Sequence, residues 1–104
     1  MGRISIACFR PKPGKEAELL RVIDDRLPLL RRLGLATDRA AINCRSKEGI
    51  MVSISEWVSD EAIDRAHRTP EVLALWRRFE ECATFVPFTA TSESADLFAT
   101  FDAV

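Results

Sequence analysis

The stretch 56–79, EWVSDEAIDRAHRTPEVLALWRRF, constrains the fold more than any other part of this chain. It opens on the end of a β-patterned run, at Trp57, and then sets Ser59 before two acids, Asp60 and Glu61. That is a helix start: a hydroxyl caps free amides, and the acids sit at the positive end of the dipole. A lone histidine, His67, closes that helix. Thr69-Pro70-Glu71 repeats the capping logic, with proline at the first helical position, where its missing donor is harmless. Val72, Leu75, Trp76 and Phe79 then form an apolar stripe, so Trp76 and Phe79 read as core. A strand is thus followed by a helix in two pieces.

The rest of the chain supplies the partners. Residues 3–10 alternate and are rich in β-branched side chains, and Pro11-Lys12-Pro13-Gly14 stops them. From Lys15 the spacing turns helical, through Leu19, Leu20, Ile23, Leu27 and Leu30 to Leu33-Gly34, with Arg31 and Arg32 at the negative end of the dipole. Pro28 deletes one helical hydrogen bond, which predicts a kink or a restart near Asp25. Residues 39–45 and 50–57 are extended and joined by a turn at 46–49. Pairing about that turn places Asn43 across from Val52 and Cys44 across from Met51. On the second strand, Ile50, Val52 and Ile54 offer one face to helices, and Met51, Ser53, Ser55 and Trp57 form a semi-polar face. Residues 84–91 read as the last strand, with Pro87 marking an edge or bulge.

The order β-α-β-β-α-β is an α+β, ferredoxin-like arrangement, predicted as a single domain over 1–104 with a C-terminal tail, 92–104. Both helices cover one sheet face. The other is left bare, which predicts a homodimer that closes a dimeric α+β barrel sheet to sheet. The tail carries Leu97-Phe98-Ala99-Thr100-Phe101, and its aromatics predict docking on the partner or along the barrel edge.

Composition removes several function classes. Lys and Arg number 15 against 16 acids, the net charge is −1, and the signs are interspersed. No basic track follows a phosphate backbone and no strand carries an aromatic pair flanked by basic residues, so no nucleic-acid partner is expected. Apolar runs are far shorter than the roughly 20 residues of a membrane span, and the amino terminus lacks a signal-like stretch. No membrane role and a cytoplasmic location are expected. Cys8, Cys44 and Cys82 are widely spaced beside a single histidine, which predicts buried reduced thiols in place of disulfides or a zinc site.

Trp57, the cap Ser59-Asp60-Glu61, Ala66-His67 and Thr69-Pro70 together resemble the antibiotic biosynthesis monooxygenase-like group of small dimeric α+β barrel proteins. The likeness runs from the first strand to about Phe88. It implies a small-molecule enzyme similar to cofactor-independent monooxygenases acting on aromatic, quinol-like compounds. Many members place a second histidine directly after the proline, where this chain has Glu71. Some carry an asparagine four residues before the tryptophan; the matching Ser53 offers one donor instead of two. In haem-degrading members the catalytic Trp and the iron-binding His would fall near Ala66 and Trp76, so no haem, metal or other cofactor is expected.

Under this resemblance His67 is the candidate catalytic base, and Trp57, Ser53, Ser55 and Asn43 are candidate substrate-binding residues. Each has a plainer reading. His67 follows Ile63 by one helical turn and suits a backbone-bonded structural histidine. Trp57 fills a core, and polar strand residues often face water. The alternative function is a non-catalytic dimeric small-molecule-binding or scaffold protein of the same fold.

Overall fold

Each change of hydrophobic period along the chain becomes a change of element. A computed structural model describes residues 2–104. The elements are β1 (Arg3–Pro11), α1 (Glu16–Arg32), β2 (Ile42–Arg45), β3 (Met51–Trp57), α2 (Asp60–Ala66), α3 (Pro70–Cys82), β4 (Ala83–Val86) and β5 (Asp102–Ala103). Two short 3₁₀ turns, Phe88–Ala90 and Ser92–Ala95, lie between the last two strands. The sheet runs β4-β1-β3-β2-β5 with every pair antiparallel, so the α+β ferredoxin-like arrangement is present with β1 and β3 inside.

Phe9 and Met51 of the sheet meet Leu19, Val22 and Ile23 of α1 and Leu75 and Phe79 of α3 in the main core. Phe9 and Phe79 stack with ring centroids 4.4 Å apart and planes 8° from parallel. Gly34, at φ +73°, ends α1. The Leu35 amide donates to the Leu30 carbonyl at 2.8 Å and the Gly34 amide to Arg31 at 3.0 Å, a Schellman close that only a left-handed residue allows without strain.

Several expectations are corrected. Helix α1 continues through Pro28 and does not restart near Asp25, and Pro28 and the carbonyl-bearing Asp24 it deprives are both on the exposed side, where water can take the freed bond. The hairpin pairs Asn43 with Ser53 and Cys44 with Val52, one residue off the expected register. Its loop is three residues, not four: Ser46 pairs back to Ile50 at 2.9 Å, and Gly49 takes φ +89°. Since a one-residue slip turns every side chain over, Asn43 shares the face of Ser53.

The faces are also reversed. Met51, Ser53, Ser55 and Trp57 are the residues under the helices, while Ile50 and Val52 lie on the opposite side with Cys8 and Cys44. The semi-polar face tolerates burial because α1 brings its own polar group to it, as described below. The last strand stops at Val86, since Pro87 cannot continue the ladder. Thr69 flanks α3 without capping it; its hydroxyl donates back to the Arg65 carbonyl at 2.8 Å. Ser59 does cap α2, accepting from the Ala62 amide at 3.1 Å.

The tail folds onto its own chain. Phe88, Ala90 and Phe101 pack over Cys8, Cys44, Ile50 and Val52, and β5 extends the sheet beside β2. The second sheet face is therefore half covered, not bare, and Leu97 and Phe98 stay exposed. All three cysteines are buried and free.

Candidate functional site

Trp57 is held by what surrounds the end of β3. The Val58 amide donates to the Leu35 carbonyl at 3.0 Å and the Thr37 amide to the Glu56 carbonyl at 3.1 Å, so residues 35–37 bracket the strand end. The Glu56 carboxylate locks that bracket by accepting from Thr37 and Arg39, and these bonds hold it below the ordinary carboxylate range. The indole packs on Leu27, Leu30, Leu35, Ala62 and Val72, and its Nε1 donates to the Ser5 hydroxyl at 3.1 Å. Its ring is oriented from both sides.

Arg26 comes to the same place from α1. It stands four residues after Val22 and four before Leu30, on the buried stripe, and is 7 % exposed. Its Nη1 donates to the Ser55 hydroxyl at 3.0 Å, and its guanidinium carbon lies 5.6 Å from the centre of the Trp57 ring, within cation–π range. Burial pushes the guanidinium down from its ordinary value, yet an arginine stays charged. Among the described residues it forms no ion pair.

These groups border a cavity of about 260 Å³ between sheet and helices. Trp57, Trp76, Phe79 and Phe85 give it aromatic walls, and Ser5, Ala7 and Phe9 line it along β1. Arg26 contributes the one charge among the described residues that line it. The volume lies just under the roughly 300–1,000 Å³ of sites for drug-sized ligands, which suits a compound of one or two fused rings.

The candidates read from the sequence divide around this cavity. Trp57 lines it. Ser55 is buried and meets it through Arg26, whose guanidinium it accepts from. Ser53 is buried one step along the same strand face but does not line the cavity. Asn43, paired with Ser53, does not line it either, and its Oδ1 is buried with no hydrogen-bond partner among the described residues. His67 is exposed at the end of α2, with Nδ1 2.8 Å from the Ile63 carbonyl and its ring edge-on to Trp76 at 5.0 Å. Trp76 faces the cavity, and His67 touches Trp76 instead. Thus Trp57 and His67 do not border one pocket.

Arg26, Ser5 and Trp76 were not singled out as site residues by sequence. Arg26 did leave a signal, a charge at a core position of an apolar stripe. Ser5 left none beyond its place on an alternating strand. Trp76 belongs by spacing to the α3 stripe, yet it is only half-buried.

The fold is an antiparallel ferredoxin-like sheet with a small aromatic cavity under its helices. The chain belongs to the antibiotic biosynthesis monooxygenase family, whose model matches residues 3–78. That span includes every cavity residue except Phe79 and Phe85. Among curated proteins and solved structures nothing matches the chain significantly. A monooxygenase-like or small-molecule-binding function follows from the family. No helix among the described residues is long and apolar enough to cross a membrane, and no three His, Cys, Asp or Glu side chains there group as a metal site.

Proposed function

We propose that this domain takes a flat, aromatic, quinol-like molecule into the cavity beside Trp57 and oxidises it as a cofactor-independent monooxygenase. The observation that carries the reading is the convergence of five aromatic rings, Phe9, Trp57, Trp76, Phe79 and Phe85, on one small hollow. Such rings favour a planar guest by offset or edge contacts, and the indole held by Ser5 is preset for stacking. His67 lies outside the cavity, so the ring proton leaves to water at the open mouth and not to an imidazole. Molecular oxygen is the oxidant in this reading: one of its atoms forms the new bond to a ring carbon, and the other leaves as water with the two hydrogens that the substrate gives up.

One observation favours the second reading, a non-catalytic binding protein of the same fold: among the described residues no carboxylate, imidazole or thiol lines the cavity. Titrating the protein with a naphthohydroquinone, while following tryptophan fluorescence and oxygen uptake together, tests both. Quenching with uptake above the spontaneous rate supports the monooxygenase. Quenching without it leaves the binding protein, and neither signal removes the cavity as a site.

The domain also works as a homodimer in this proposal. Ile6 and Ile42 each pair with Ile54, which makes an apolar row across β1, β3 and β2 on the face away from the helices. Ile6 and Ile42 are 50 % and 62 % exposed, beyond the reach of the tail. A second copy of the same sheet is the self-complementary cover for such a row.

A further inference from the structure

Arg26 is a charge without a counter-charge. Taking a guanidinium out of water costs several kcal/mol unless other groups replace its hydration. Here one N–H is satisfied by Ser55 and one face is set against the Trp57 ring. The remaining N–H groups have no protein partner among the described residues. They are not sealed in either, since Asn43 Oδ1 is the buried side-chain polar atom there with no hydrogen bond. Arg26 is buried as a residue and lines the cavity, so the space left to those donors is the cavity itself. Among the described residues no other charged one borders it.

We propose that Arg26 reads an anionic oxygen on the bound ring, a carboxylate or phenolate, with Ser55 fixing the guanidinium and Trp57 stacking on the ring. The inference rests on the cavity being the ligand site and adds the charge of the ligand. A guanidinium matches a carboxylate with two parallel N–H groups and a phenolate with one or two. The surrounding phenyl and indole rings lower the local dielectric and strengthen that contact. Arg26 therefore selects charge where the aromatic walls select shape.

Two probe pairs test this by fluorescence titration, each holding shape nearly constant while changing charge. Naphthoate is set against neutral naphthamide, and nitrophenolate, at a pH where it is ionised, against its methyl ether. The expected result is a preference of about ten- to hundredfold for the charged member of at least one pair, the size of a hydrogen bond to a charged group. Which pair shows it identifies the carboxylate or the phenolate source. Arg26→Met should bring that ratio to near one with neutral-probe binding retained. Arg26→Lys should keep part of it, because the charge remains but the fork is lost. Equal affinities within both pairs in the unmodified protein, or a preference undiminished in Arg26→Met, would overturn the inference while the cavity reading stands. Binding of no probe would overturn the cavity reading and this inference with it. Should Arg26→Met fail to fold, the unmodified ratios and Arg26→Lys decide alone.

Discussion

Arg26 links function to stability at the scale of one residue. A buried cation with a single hydrogen bond is held at a cost, and apolar groups of similar volume often stabilise a fold when they replace buried charge. Arg26→Met should therefore raise the stability of the ligand-free protein by about 1 kcal/mol or more, seen as a higher denaturant midpoint at unchanged slope. Trp57→Phe should act the other way. It keeps an aromatic wall but removes the donor to Ser5, at about 1 kcal/mol, and weakens ring binding in the same titration. Trp57 was legible because a large aromatic at a strand end, just before a capped helix, has few places to go. Arg26 was legible only in part: its place in the apolar stripe marks it, but a lone arginine among leucines also reads as a solvated flank until the helix is seen to press that flank on the sheet. His67 was conspicuous as the chain's one histidine, but spacing does not tell which side of a short helix faces the cavity.

At the scale of elements, the order of strands and helices was legible because each change of period is long enough to register. The hairpin register was not. It turns on whether Gly49 lies inside the turn or takes a left-handed conformation as a bulge, and composition is the same in both cases. Gly49→Ala at φ +89° should cost about 1–2 kcal/mol, measured by chemical denaturation, with the cavity lining unchanged. The same loop ties down the tail: the Glu48 carboxylate accepts from the Ser92 amide at 3.0 Å and the Ser92 hydroxyl at 2.8 Å. Those two bonds hold its pKa below the ordinary glutamate value. Their contribution is complete above the unfolded value, about 4.3, and is lost as pH falls through the lower folded value. Hydrogen-exchange protection of the Ser92 amide should accordingly be flat from neutral pH to about pH 5 and fall on further acidification.

For the whole molecule, alternation showed that the sheet has two distinct faces but not which one the helices take. Both faces of β3 carry apolar residues; the helices cover the one with Met51 and Trp57, where Arg26 from α1 satisfies the buried Ser55. In the proposed homodimer the row of Ile6, Ile54 and Ile42 is the surface that a second copy covers. Ile6→Asp puts a charge beside the centre of that row and should give a monomer by light scattering at micromolar concentration, with an unchanged circular dichroism spectrum. An unmodified protein that is already monomeric there would remove the dimer. The tail has a separate consequence. Phe88, Ala90 and Phe101 lie over Cys8 and Cys44, whereas Cys82 sits in the helix-side core. Burial pushes all three thiols above their ordinary range, so an alkylating reagent at neutral pH meets almost no thiolate while the cover is closed. Modification of Cys8 and Cys44 thus times the lifting of the tail, modification of Cys82 times the parting of the helices from the sheet, and one mass-spectrometric time course separates the two openings.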